Sequence, residues 1–409
     1  MQSKKLKCIL TSNFKKNIMN YILFDGPVRN QLLPFTYTRP VADIRVGILT
    51  IREKWELYLQ TTTTTVTEDY LADKYPMVEL EENVMLNASY LPNNELVELI
   101  VGLEKNQAIF KDEDIIAFYT TDTQEAIDFD TYEAIEFDND ITKIEHTWEI
   151  FSKNGEAILQ DFELLTKDRK SEPIPTSNNI IAPENIFIEE GAVVQFATLN
   201  ASAGPIYIGK DAEIMEGSLV RGPLALCDHA TLKLGAKIYG PTTIGPHSKV
   251  GGEVNNSVLF GYSNKGHDGF LGNSVIGEWC NLGADTNNSN LKNNYVEVKL
   301  WDYETERFAK TGLQFCGLMM GDHSKCGINT MFNTGTVIGV NANIFGSGFP
   351  RNFVPSYSWG GASGFTTYLT SKAFEVAKVV MARRGVAFTS QDEAILTQVF
   401  EDSKKYRKE

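Results

Sequence analysis

The chain has little cysteine and no C-x-x-C pair. Its five cysteines, at positions 8, 227, 280, 316 and 326, are scattered through 409 residues. That argues against a disulfide scaffold or a zinc knuckle and fits a reducing cytoplasm. Positive charge is also short. With 38 Lys and Arg against 53 Asp and Glu the net charge is −15, which disfavours nucleic acid or an anionic membrane as the main partner. No apolar run approaches the length of a membrane span. Hydrophobic residues make up 42%, so two or three domains can each bury a core.

What the chain does have is a repeat. Ile208, Ile214, Val220, Leu226, Leu232, Ile238, Ile244 and Val250 stand six apart and are all aliphatic. Helices repeat near 3.6 residues and strands near 2, so neither explains the spacing. The register returns at Met320, Cys326, Phe332, Ile338 and Ile344, and shows at Ile188, Val194, Ile276 and Leu282. Six-residue units predict a parallel β-helix: three units close a triangular coil, and each aliphatic residue points inward. Coils then stack about 4.8 Å apart. The pattern resembles the left-handed hexapeptide-repeat acyltransferases. The left hand is that family's property, because crossovers generally prefer the right hand.

The domains predicted are a leader over 1–18, an α/β domain over 19–170, a Pro-rich linker over 171–179, the β-helix over 180–350 and a helical arm over 351–409. The leader is lysine-rich, with an apolar run too short for a signal peptide. A strand at Tyr21–Phe24, then Asp25-Gly26, then a helix expected from Val41 to Leu59, opens an α/β nucleotide-binding (Rossmann-like) unit. Leu32–Pro40 is similar to a segment of sugar-1-phosphate nucleotidyltransferases. Against that family the glycine-rich loop is reduced to Gly26, with Arg29 near the usual Arg, and Val41 replaces a Lys. The resemblance implies nucleotide binding by Asp25, Gly26, Arg29 and Arg39. Where the family has a magnesium-binding Asp, this chain has Ser89. A hydroxyl is a poor ligand for that hard cation. UTP and Mg²⁺ are therefore expected only if this domain is active. A further helix is expected around Glu95–Leu103.

Two breaks in the hexad register follow, at Asn264–Gly272 and after Leu282, the second holding a hairpin within 295–311. Loops that project from a solenoid often carry function. Lys265-x-His267-x-x-Phe270-Leu271-Gly272, continuing to Asn281-Leu282-Gly283-Ala284, resembles the acetyltransferase half of the bifunctional glucosamine-1-phosphate acetyltransferase/N-acetylglucosamine-1-phosphate uridyltransferases. The resemblance implies acetyl-CoA as cosubstrate, an amino-sugar 1-phosphate as acceptor, UDP-N-acetylglucosamine synthesis and a homotrimer. It assigns His267 as general base, since imidazole exchanges protons near neutral pH. Asn281 and Asn290 would hold the sugar phosphate or the amine, and Gly283 and Ala284 would wall acetyl-CoA. Phe270 replaces a family Tyr and Asn255 a phosphate-binding Lys, whose role passes to Lys249, Lys265 or Lys292. His229 and His247, eighteen apart, are expected to stack on neighbouring coils as wall residues, with no metal site assigned. Helices are expected over Ser371–Arg384 and after a Ser390 cap. Two function classes fit: this acetyltransferase, or another of its acyltransferase kin, with a working or vestigial uridyltransferase domain; and a trimeric scaffold that binds sugar nucleotides without turnover.

Overall fold

A computed structural model describes residues 19–121 and 128–407. The predicted leader, residues 1–18, lies outside them. The first domain is built on six strands: β1 (Asn20–Phe24), β2 (Thr64–Val66), β3 (Asn83–Asn87), β4 (Gln107–Lys111), β5 (Asp114–Thr120) and β6 (Glu133–Glu136). Their order is β2-β1-β3-β5-β4-β6. β1 to β3 run parallel, and β5 turns antiparallel to β3. Ile22, Leu23, Val84 and Leu86 are fully buried, as expected of strands covered on both faces. Helices α1 (Ile51–Leu59), α2 (Asp69–Ala72), α3 (Asn94–Val101), α4 (Thr147–Ser152) and α5 (Asn154–Thr166) surround them.

The helix expected over Val41–Leu59 forms only from Ile51. Val41 donates its N–H to Asp25 Oδ1 at 2.6 Å. Gly47 has φ +79°, and a Cβ there would collide with the Asp161 carboxylate and lie 2.9 Å from the Ala157 backbone. These constraints hold 41–49 as an irregular loop. α1 starts where Thr50 and Glu53 form a capping box. α3 begins one residue early, capped by Asn93.

The second domain is the predicted parallel β-helix. Its first face has six strands, from Asn179–Ile181 to Phe270–Gly272. Its second has nine, from Ile186–Ile188 to Phe353–Val354. Its third has ten, beginning at Val193–Val194 and ending in the antiparallel pair Ser358–Gly361 and Gly364–Thr367. Inward residues stack as counted: Ile208 pairs with Leu226 and Leu226 with Ile244. Together with Ile214, Val220, Leu232, Ile238 and Val250 they form one buried core.

The break expected at Asn264–Gly272 is not a projecting loop. Asn264–Lys265 and Phe270–Gly272 are ordinary coil strands. The register slips earlier because a corner shortens at Gly251-Gly252, where Gly252 has φ +71°. The next inward residues are Val254 and Leu259, and Lys265 then pairs with Val250. A lysine thus occupies an aliphatic slot. The true insertion lies between Asn288 and Leu318, since Asn287–Asn288 still pairs in register with Met331–Phe332. Its antiparallel hairpin, Lys299–Asp302 with Arg307–Lys310, confirms the hairpin expected there.

The corner between the second and third faces carries a column of non-glycine residues at positive φ: Asp211, His229, His247, Tyr262, Trp279, His323, Asn341 and Tyr357. His229 and His247 stack at 4.6 Å as expected, and Tyr262 and Trp279 extend the stack. The arm folds as α6 (Thr370–Ala382) and α7 (Ser390–Asp402). Thr389, not Ser390, caps α7, since its hydroxyl accepts from Asp392 N at 3.2 Å.

The two domains share a core. Residues from β1 and β3 join Val258, Phe260, Val275 and Met319 of the second face, and Ile395 and Leu396 of α7, in one buried cluster. The hairpin and the chain's end complete it: Tyr303 packs edge-on against Tyr37 at 5.7 Å, and Tyr406 packs on Tyr303. Among the described residues no helix is long and apolar enough to cross a membrane.

Candidate functional site

The residues assigned to nucleotide binding are engaged elsewhere. Asp25 accepts from Arg29 at 2.7 Å, from the Thr67 hydroxyl at 2.5 Å and from Val41 N. Burial raises the Asp25 pKa and the Arg29 charge opposes that. Arg29 also donates to the Thr36 carbonyl and to Tyr70 Oη. Arg39 is buried across the domain boundary. It pairs with Asp322 and Glu278, and its guanidinium lies 5.2 Å from the centre of the Phe260 ring. Gly26 takes φ +63° against Asn87. Ser89 is fully buried and donates to Asn87 Oδ1 at 2.7 Å. That setting does not fit a magnesium ion, which takes oxygen ligands, carboxylates among them, and water.

Of the residues assigned to acyl transfer, Lys265, His267, Gly283 and Ala284 lie at one edge of the β-helix, where the third face turns into the first. His267 lies on that corner, exposed. Beneath it Lys265 is 1% exposed, inside the prism. Its Nζ donates to the Gly251 carbonyl at 3.0 Å and to the His267 carbonyl at 2.9 Å. Burial pushes the Lys265 ammonium down to about 8, while Asp268 pulls it upward. Gly283 and Ala284 occupy the same corner one coil on: Asp285 N donates to the Asp268 carbonyl at 3.0 Å. Gly283 is required there, since a Cβ would collide with the Gly327 backbone.

The amide residues flank that edge. Asn281 is exposed on the third face, paired in register with Asn264 and Lys325. Asn290 lies beside Phe270 over Gly272 and donates to Asn273 Oδ1 at 2.8 Å. Asn255 pairs with Gly272 on the first face. Lys292 turns away, donating to the Glu297 carbonyl at 3.3 Å. Lys249 lies on the third face, with Asn264 as its register partner.

Sequence reading missed the groups opposite this face. Lys325, Arg383 and Arg384 join Lys249, Asn264 and Asn281 around a cleft of about 460 Å³. The only signal was ladder position. Lys249, Asn264, Asn281 and Lys325 are successive register partners, but the steps of 15, 17 and 44 residues hide them from a count by six.

Residues 21–170 match the family model described as sugar nucleotidyl transferase. A bifunctional sugar-1-phosphate nucleotidylyltransferase/acetyltransferase of Sulfurisphaera tokodaii is 32% identical over 144 residues, 35% of each chain. The bifunctional protein GlmU of Methanococcus maripaludis is 27% identical over 203 residues, 49% of this chain and 42% of the other. The chain thus aligns with less than half the length of these relatives. The solved Arabidopsis UDP-N-acetylglucosamine acyltransferase is 16% identical over 57% of this chain and 91% of its own, with a TM-score of 0.23. Residues 21–170 thus carry a sugar nucleotidyl transferase domain, and over part of its length the chain is similar to bifunctional sugar-1-phosphate nucleotidylyltransferase/acetyltransferases.

Proposed function

We propose that the β-helix transfers an acetyl group from acetyl-CoA to the amine of an amino-sugar 1-phosphate, glucosamine 1-phosphate being the first candidate. The observation that carries this reading is the edge itself. Buried Lys265 ties down the His267 carbonyl while the imidazole stays exposed, with Ala284 one coil away and Asn281 and Asn290 on the flanking faces. His267 takes a proton from the sugar ammonium. The freed amine attacks the thioester carbonyl carbon, a C–N bond forms, the C–S bond breaks, and coenzyme A leaves as its thiol. Asn281 and Asn290 orient the acceptor, and Gly283 and Ala284 leave room for the acyl arm.

In this reading the first domain serves assembly and has lost uridyl transfer. The charged residues assigned to nucleotide binding, Asp25, Arg29 and Arg39, are paired with each other or with the β-helix, which leaves none of those three to meet a triphosphate. A product passed on to UDP-N-acetylglucosamine then requires a separate nucleotidyltransferase.

The same edge carries exposed Phe196, Leu234 and Ile328, which are 65%, 67% and 71% accessible. Their position supports a homotrimer closed through these edges, which would set a neighbour's wall beside His267. The test is thiol release from acetyl-CoA with a panel of amino-sugar phosphates. Release that depends on the acceptor and on His267 supports the reading, whereas none with any acceptor favours the non-catalytic scaffold.

A further inference from the structure

The net charge of −15 makes one surface anomalous. α6 of the arm lies over the third face of the β-helix, and between them opens the cleft lined by Lys249, Asn264, Asn281, Lys325, Arg383 and Arg384. Four of these side chains are cationic, and among the described residues no carboxylate lines the cleft.

Their partners leave the charges unspent. Arg384 donates to Asn264 Oδ1 at 3.0 Å, bridging the arm to the coil. Lys325 donates to the His323 carbonyl at 2.7 Å and forms no ion pair among the described residues. Among the described residues neither Lys249 nor Arg383 is in an ion pair. The nearby acids are taken, since Asp322 and Glu278 serve Arg39. Burial lowers the pKa of Arg384 and the Arg383 charge adds to it, and burial, His229 and Arg384 together lower that of His247. Burial brings the Lys325 ammonium down to about 8. An anion relieves both the repulsion and the desolvation.

The cleft does not reach His267, although Asn281 borders both the cleft and the proposed acceptor site. Trp279 and Cys280 bound it at the corner between the second and third faces, whereas His267 lies on the third face's other corner. At Val380 the cleft meets an apolar groove of about 630 Å³ lined by Trp359, Tyr368, Val376 and Val379.

We propose that Lys249, Lys325, Arg383 and Arg384, with the Asn264 and Asn281 amides, form a binding site for the phosphate groups of a small molecule, closed in cis by the arm. Phosphate suits the donor set. Arg presents a planar fork and Lys a point charge, and both favour phosphate oxygens. The site does not depend on His267 acting as a base. Two sources of phosphate are open to it, the sugar-phosphate acceptor and coenzyme A, and only the second has an arm long and uncharged enough to use the groove beyond Val380.

The experiment is calorimetric titration of the full-length protein with inorganic pyrophosphate at low ionic strength, then with glucosamine 1-phosphate and with coenzyme A. Pyrophosphate is expected to saturate one site per chain. Affinity should fall at least tenfold in Lys325→Met and in Arg384→Gln, and stay unchanged in His267→Ala and in Lys310→Gln on the distant hairpin. Should Lys325→Met fail to fold, the exposed Arg383→Gln carries the same expectation. Tighter binding of coenzyme A than of pyrophosphate, lost on Trp359→Ala, assigns the donor, and equal binding of glucosamine 1-phosphate without that sensitivity assigns the acceptor. Unsaturable pyrophosphate binding, or equal affinity in all variants, overturns the proposal. Loss of acetyl transfer in His267→Ala with pyrophosphate binding intact separates this site from the catalytic reading.

Discussion

The motif residues of the two domains are held differently. In the first domain Asp25, Arg29 and Arg39 are buried, and each is paired within the fold or across the boundary. In the β-helix His267 and Asn281 stay exposed, and Lys325 donates to a backbone carbonyl and forms no ion pair among the described residues. A group whose charge is already neutralised has little left for a ligand, and a buried pair is costly to open. The difference teaches that motif residues can survive in a sequence while their task changes. In the first domain Asp25 and Arg29 hold each other and Arg39 fastens the domain to the β-helix, whereas in the second His267 and Asn281 remain exposed.

The largest expected break in this contrast is His267→Ala. Acetyl transfer should fall about 10²–10⁴-fold, the usual worth of a general base. Unfolding in urea should hardly move, because an exposed imidazole contributes little packing. Arg39→Ala should do the reverse. It leaves Asp322 buried without its cation and should cost about 3–5 kcal/mol of stability, with little effect on the remaining chemistry per folded molecule. Urea midpoints and specific activity of the refolded fraction separate the two.

Lys265→Met should sharpen the contrast by moving stability and activity in opposite directions. The Lys265 pKa is lowered to about 8 in the fold, from an ordinary value near 10.4. Between those values the unfolded chain holds a proton that the folded chain has released, so stability rises with pH over that window. At pH 7 both states are charged and the fold bears the burial of the ammonium. Methionine removes that cost, and stability should rise by about 1–3 kcal/mol. Acetyl transfer should fall, because the His267 carbonyl loses its tether. Thermal melts across pH 7 to 10.5 should show the wild-type slope and a shallower one in the variant, where Lys325 still contributes.

Smaller again is the pH response of the cationic cleft. Lys325 faces Cys280 from the preceding coil, Lys249 along the face, and Arg383 and Arg384 from the arm. Pyrophosphate affinity should weaken as pH rises through about 8, when Lys325 loses its proton, while the arginines stay charged. The smallest effect expected is from deleting residues 1–18, which should leave melting temperature and activity unchanged.

The β-helix was legible because its inner slots repeat and are aliphatic from Ile208 to Val250. Counting by six failed after Val250, where the Gly251-Gly252 corner shortens the step to Val254. That slip disguised Lys265 as part of a loop, although it stands in the core column. The His267 edge was still readable, since its residues lie close together in sequence. The cationic cleft was not, because it joins coil residues to α6 across more than a hundred positions. Arg29 and Arg39 were legible as motif residues, but their engagement was not: it depends on Asp322 and Glu278, which arrive from the other domain.

The most direct test of the central claim compares the two reactions in one preparation. Thiol release from acetyl-CoA with glucosamine 1-phosphate is followed beside pyrophosphate release from UTP and N-acetylglucosamine 1-phosphate with magnesium. The account predicts turnover in the first, abolished by His267→Ala, and none above background in the second. Pyrophosphate release at a comparable rate, unaffected by changing Arg29 and Arg39, would contradict it.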